Sequence, residues 1–398
     1  MFTIEDQQLR LSIHPKGAEL QSIFHKTHQL EYMWGGDPAV WGKHSPLLFP
    51  IVGTLKANTY YFEGKPYTLP RHGFGRDREF TVESRSGDAI TFLLRSDEET
   101  KAVYPFDFEL RVIYRLTPKG FTTTYQVTNP TAKDIWFSVG AHPAFKVPLA
   151  PGTDYSDYYL EFDKTENAGR WPISKDGLIE RTPEPLFSNT NRLPLNKSLF
   201  ARDALVLKHP ASSAVTLRSD RTERGLRMDF PDFPFLGIWA FPGADFLCLE
   251  PWCGIADPVD SNQQWTEKEG INQLQGGGVF ERTSDPQRFL TPGRLLKQEF
   301  GRRRRLRYLG QIPRGPNHTR ALFRDRYTEL VNRFQDFFLN TQTPSPPHHP
   351  STPAPHSDDS SPPLHHPFTR NDIARHRLHL ADTLELQVMR PEKVFKSV

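Results

Sequence analysis

From residue 2 to about 283, apolar and polar residues alternate with a period of two, in short runs broken by Gly, Pro, Asn, Asp and Ser. This pattern marks strands with one buried face; apolar residues at three- and four-residue steps, which an amphipathic helix needs, are nearly absent. "FTVESRSGDAITFLLRS" reads as two strands joined at Ser86-Gly87-Asp88. In "FELRVIYRLTPKGFTTTYQVTN", Phe108, Leu110, Val112, Tyr114 and Leu116 share one face, and Thr117-Pro118-Lys119-Gly120 form the turn of a hairpin. "ALVLKHPASSAVTLRS" is read as a third hairpin of the same design, followed by strands in "GLRMDF" and "FLGIWAF". Many strands separated by turn clusters predict an all-β fold, an antiparallel sandwich or a closed barrel. About 280 residues is long for a simple sandwich, so a large antiparallel β-sandwich with extended or layered sheets is expected.

After residue 283 the pattern stops. The chain has 36 prolines and only 36% apolar residues, so part of it is not expected to pack. Residues 1–283 form one predicted domain, and 284–398 a low-complexity tail expected to be largely disordered. "TPSPPHHPSTPAPHSDDSSPPLHHP" cannot bury enough apolar surface to offset chain ordering. One amphipathic helix is predicted over 320–339, where Leu322, Phe323, Tyr327, Leu330, Val331, Phe334 and Phe338 recur at helical spacing.

Charge sharpens the division. The net +3 hides 19 Lys/Arg against 11 Asp/Glu from Ser284 onward, and 31 against 36 before it. A mildly acidic main domain is not expected to bind nucleic acid. The arginine run 302–305 is read as a solvated basic cluster, and the His-His pairs at 348–349 and 365–366 lack the fixed geometry of a selective metal site. The two cysteines, Cys248 and Cys253, are too few for a disulfide framework or a structural zinc site and are expected to be reduced. No secretory signal and no apolar run long enough to span a bilayer is visible, so a soluble, cytoplasmic protein with no membrane partner is expected. Oligomeric state has no signature in the sequence.

Three blocks place titratable residues beside Gly or Pro at strand ends: "LPRHGFGRDREF" (69–80), "SVGAHPAF" (138–145) and "CLEPWCGIAD" (248–257). Pro143 pushes His142 toward extended backbone. Taken alone, that histidine could be a proton donor, a metal ligand or a buried polar group with a partner. A histidine and a glutamate on one small molecule suit paired acid and base catalysis. Glycosidases instead need two carboxylates. No HxH, HExxH or CxxC occurs in residues 1–283, and neither GxSxG nor a P-loop is present, so metal, serine-hydrolase and nucleotide chemistry have no motif here.

Together with "LLFPIVGTL" and "DALVL", these blocks resemble, in order and spacing, the bacterial branch of the aldose 1-epimerase (galactose mutarotase-like) family; "INQLQGGGVFER" (271–282) is similar to its closing strand. The resemblance implies a β-sandwich with an open cleft that needs no cofactor and interconverts the α and β anomers of an aldose. It implies that His142 is the general acid at the ring oxygen and Glu250 the general base at the C1 hydroxyl. His72 would bind or polarise the sugar, and Asp203 would hold its hydroxyls. An imidazolium and an ionised carboxylate are the forms expected near neutral pH. Trp239 and Trp252 are candidates for cleft walls, with core packing as the other reading. The family also carries an arginine upstream of the first histidine; Lys43, His44, Lys56 and Arg76 are the basic residues considered for it. Arg76 resembles a residue of a related branch acting on hexose 6-phosphates, and Lys43 is a further candidate for substrate binding. Alternatives to a neutral-sugar mutarotase are a hexose-6-phosphate mutarotase and a non-catalytic carbohydrate-binding protein.

Overall fold

The computed structural model describes residues 1–287; the tail beyond them and the expected helix at 320–339 lie outside the described residues. The all-β expectation holds: beside short 3-10 turns, Glu98–Val103 is the only α-helix among the described residues. The largest sheet has nine strands in the order Thr190–Pro194, Tyr158–Glu166, Ala214–Ser219, Thr222–Asp229, Val279–Gln287, Gly120–Thr128, Glu109–Thr117, Ala89–Arg95 and Thr81–Arg85. A five-stranded sheet centres on Phe246–Cys253, flanked on one side by Val139–Gly140 and Ala144–Lys146 and on the other by Phe235–Trp239 and then Leu205–Lys208. A four-stranded meander over Phe2–Glu31 and three two-stranded ribbons complete the fold. Strand neighbours in both large sheets are antiparallel.

The two hairpins read from alternation form as expected, with Phe108, Leu110, Val112, Tyr114 and Leu116 all buried. They join one hydrophobic core with Phe145, Leu247 and Leu249 of the smaller sheet. Each fully buried Leu or Phe contributes about 1.5–3 kcal/mol relative to exposure, so such a core drives the layering. The five-stranded sheet is buried on its other face too, where Val206, Phe235 and Trp252 pack with Leu48, Val52, Ile179 and Ile255 in a second apolar cluster. Double burial explains why all of Phe246–Cys253 is buried despite its alternating side-chain directions.

The third expected hairpin does not form. Leu205–Lys208 pairs with Phe235–Trp239, whereas Ala214–Ser219 pairs with Tyr158–Glu166 and Thr222–Asp229 in the other sheet. Both strands are largely buried, so alternation could not show which partner each takes. The connection between the layers is held by buried Glu166, whose carboxylate accepts the N–H groups of Ala211 (3.1 Å) and Ser212 (2.7 Å). These two bonds satisfy buried backbone donors at the crossing between the sheets.

Asp229 and Asp285 stand directly opposite each other in the large sheet, and Asp285 Oδ1 is buried without a hydrogen-bond partner. Burial, and then the Asp229 charge, push the Asp285 carboxyl up to about 7. The unfolded chain loses this proton near the ordinary value of about 3.9. Between these values the folded state binds more protons than the unfolded state, so this group's contribution falls as pH rises and is lost above about 7. Asp285→Asn is therefore expected to flatten the decline of melting temperature across this window and to melt higher than wild type near pH ~8. An unchanged slope would contradict the assignment.

Candidate active site

The floor of the main cleft is built by strand register. Gly140 lies opposite Trp252 and Ala144 opposite Cys248, so the intervening residues place His142 directly opposite Glu250. On either side a proline removes one rung of the ladder. Ala141 N–H reaches Pro251 O (3.1 Å) and Leu249 N–H reaches Pro143 O (3.3 Å), but neither proline can donate in return. His142 and Glu250 thus form a non-hydrogen-bonded cross-strand pair, the type in which opposing side chains approach most closely. His142 Nε2 stands 3.3 Å from Glu250 Oε2, with both side chains buried. Room for this row comes from small residues: a Cβ on Gly237 would stand 2.3 Å from the Trp252 ring, and one on Gly140 would stand 2.7 Å from it.

The cleft above them encloses about 500 Å³. Trp41 stacks on the His142 ring (centroids 5.2 Å apart, 26° between planes), and Trp239 meets that ring edge-on at 5.7 Å. Burial, together with the charges of Arg76 and Arg71, pushes the His142 imidazole down to about 3. Burial and the Asp203 charge push the Glu250 carboxyl well up, against the opposing pull of Arg71 and Arg76. Burial therefore works against the imidazolium–carboxylate form expected from ordinary pKa values. Desolvation favours a neutral ring beside a carboxylic acid. Both forms hold the same number of protons and differ by one transfer across the 3.3 Å contact.

The rim comes from loops. His72 adopts φ +69°, and the Gly53 N–H donates to its Nδ1 at 3.1 Å. The Arg71 Nε–H reaches its Nε2 at 3.3 Å, so a backbone donor and a guanidinium donor stand on the two ring nitrogens. Burial, then Arg76, His142 and Arg71, hold His72 well below its usual range and hence neutral. Asp203 adopts φ +69°, accepts its neighbour Ala204 N–H through Oδ1 at 2.8 Å, and meets the Arg71 guanidinium through Oδ2 at 3.4 Å. Arg76 lines the cleft with Nε and Nη2 buried and without hydrogen-bond partners. Burial lowers it to about 10, which leaves it charged at neutral pH. Behind the wall, the buried ammonium of Lys268 donates to Ile255 O (2.6 Å) and Asp257 Oδ1 (2.9 Å), and Asp257 Oδ2 accepts the Lys56 N–H. This lock fixes the turn that carries Ala256 into the cleft.

Of the sequence candidates, His72, Arg76, His142, Asp203, Trp239, Glu250 and Trp252 all line the cleft. Lys43 does not: it is half-exposed and reaches Asp77 at 3.8 Å, outside the cleft wall. Its loop carries Trp41 into the cleft instead. His44 and Lys56 are also off the wall. The residues that sequence reading missed are Arg71 and Trp41. Arg71 immediately precedes His72 in a block already singled out, so adjacency was the available signal; Trp41 lies in an aperiodic segment that offered none.

Known proteins place this geometry in context. The family model described as aldose 1-epimerase matches residues 1–271. The chromosomal LacX protein of Lactococcus lactis subsp. lactis is 36% identical over 280 residues, covering 68% of this chain and 93% of LacX. A solved structure described as a galactose mutarotase related enzyme from Lactobacillus acidophilus is 34% identical with a TM-score of 0.68, over 74% of this chain and 99% of that one. A galactose mutarotase-like protein from Lactobacillus casei ATCC 334 is 33% identical with a TM-score of 0.69, over 72% and 99%. With a match across nearly the whole described fold, and a cleft floored by a histidine and a glutamate, the chain belongs to the aldose 1-epimerase family.

Proposed function

We propose that the protein is a mutarotase that interconverts the α and β anomers of an aldohexose, with His142 and Glu250 as its proton-transfer pair. The observation that carries this reading is the 3.3 Å contact between His142 Nε2 and Glu250 Oε2 on the floor of a cleft of about 500 Å³. Anomer exchange needs one group to protonate the ring oxygen while another removes the C1 hydroxyl proton. The C1–O5 bond then breaks, the aldehyde turns about C1–C2, and reclosure on the other face reverses both transfers. In the assignment implied by the family, His142 donates to the ring oxygen and Glu250 accepts from the hydroxyl. The pair holds the protons this needs once a sugar draws it into its imidazolium–carboxylate form, and incoming hydroxyls supply the hydrogen bonds that favour that form. His72 and the Asp203 carboxylate at the rim are the groups we assign to sugar hydroxyls, and Trp41, Trp239 and Trp252 offer faces for its C–H groups.

One observation favours a second reading of the substrate. Arg76 presents two buried nitrogens without protein partners, and a buried guanidinium gains most from an anionic oxygen. A hexose phosphate or another anionic sugar would supply it.

Polarimetry on fresh glucose, galactose and glucose 6-phosphate tests both readings. Glu250→Gln is expected to lower kcat by about 10²–10⁴-fold while sugar binding stays measurable. If wild type shows no exchange above the uncatalysed rate on the whole panel, the cleft is a binding site without turnover and the enzyme reading is wrong. Arg76→Leu separates the substrates, because charge-assisted hydrogen bonds contribute about 1.5–3 kcal/mol. For an anionic substrate, kcat/KM should fall by about ten- to a hundredfold on glucose 6-phosphate and far less on glucose. Equal losses on both would point to a neutral sugar.

A further inference from the structure

The strand that carries Glu250 also holds, buried beneath the cleft lining, a group that anomer exchange does not use. Cys248 lies two residues earlier on the same strand and therefore on the same face. Its thiol is free and fully buried, and its opposite neighbour is the small Ala144. One imidazole nitrogen of His142, the Cys248 sulfur and one Glu250 carboxylate oxygen all lie within 4.8 Å of one another. His142 Nδ1 has no hydrogen-bond partner although the ring is 8% exposed.

We infer that His142, Cys248 and Glu250 form an inhibitory site for a borderline-soft divalent cation such as Zn²⁺. Nitrogen, sulfur and carboxylate donors are the set that Zn²⁺ takes, and three protein ligands with a fourth position open to the cleft is a common arrangement. With metal–ligand lengths of about 2.0–2.3 Å, tetrahedral donors stand roughly 3.3–3.8 Å apart. The ligand atoms that the three side chains offer lie within 4.8 Å of one another, at most about 1 Å beyond such an edge, so closure needs side-chain adjustment. The cysteine binds as thiolate and its proton leaves to solvent. Ligands separated by 106 residues carry none of the spacings by which a metal motif is read from sequence.

Binding rests on these three side chains alone, whereas its consequence for turnover rests on the mutarotase reading. A cation held there occupies the lone pairs needed for proton transfer, and anomer exchange stops. The site differs from a catalytic metal centre because the ion blocks the reacting groups themselves.

Titration of the full-length protein with Co²⁺ tests binding without reference to activity. A thiolate-to-cobalt charge-transfer band is expected in wild type and in Cys253→Ser, and is expected to vanish in Cys248→Ala; histidines elsewhere in the chain bind Co²⁺ without producing it. In parallel, Zn²⁺ should slow anomer exchange reversibly, with chelator restoring the rate. Removing even an outer-shell partner costs about 10–100-fold in metal affinity, so Cys248→Ala and Cys248→Ser should raise the half-inhibiting Zn²⁺ concentration at least tenfold. Absence of the sulfur band in wild type overturns the proposal, whatever the variants do. Equal Zn²⁺ sensitivity of wild type and both variants overturns the inhibitory role. A protein that shows the band but no exchange activity would refute the mutarotase reading and leave the metal site standing.

Discussion

Two ionisable side chains, a histidine and a glutamate, meet at 3.3 Å on the floor of a cleft, both largely withdrawn from water, and the rest of the architecture serves that contact. Burying either one alone in a charged state would be costly, because nothing nearby would replace its hydration. Placed together, they trade one proton and can remain jointly neutral. Desolvation drives the imidazole down and the carboxyl up, while the guanidinium groups of Arg71 and Arg76 oppose the rise of the carboxyl. The surroundings thus set where the proton of such a pair rests, and a polar ligand acts on it through the hydrogen bonds it adds.

That setting requires the five-stranded sheet to be covered on both faces. Leu247 and Leu249 anchor one face in the main core, while Glu250 and Trp252 line the cleft on the other. The nine-stranded sheet gives the floor a rigid backing, and the loops at the rim carry the groups that vary in charge. His72 and Asp203 both adopt left-handed backbone geometry without being glycines. Conformations of this kind cost about 1–3 kcal/mol and persist only where neighbouring contacts over-determine them. At His72 the Gly53 N–H supplies that constraint, and at Asp203 the Ala204 N–H and Arg71 do so.

Much of this was legible in the sequence because strands leave a strong local record. Alternation located the hairpins at 81–95 and 109–128; the His-Pro and Glu-Pro pairs drew attention to the two segments of the floor, although Glu250 lies inside the strand Phe246–Cys253 and not at a strand end as expected. What alternation cannot record is the partner of a strand buried on both faces, and this is why Leu205–Lys208 and Ala214–Ser219 were wrongly paired. The same limit applies at the rim. Arg71 and Trp41 enter the cleft through turns whose direction depends on distant strands, and Lys43 points away from it for the same reason. Proton affinities were also out of reach, since ordinary pKa values describe solvated groups and this pair is not solvated.

The two prolines beside the pair have a bearing on assembly of the sheet. A strand that slips by one residue turns all its side chains to the opposite face. Such an error here would send Glu250 into the core and leave Leu249 facing the cleft, in a molecule still able to fold. Pro143 and Pro251 each keep a carbonyl that accepts one rung and lack the N–H that would return it. In the observed alignment these gaps already stand against the carbonyls of Ala141 and Leu249, so the ladder is weakest where histidine meets glutamate. The register there is held by the pairs on either side, Val139 with Cys253 and Ala144 with Cys248, and by the burial of Leu247 and Leu249 in the core.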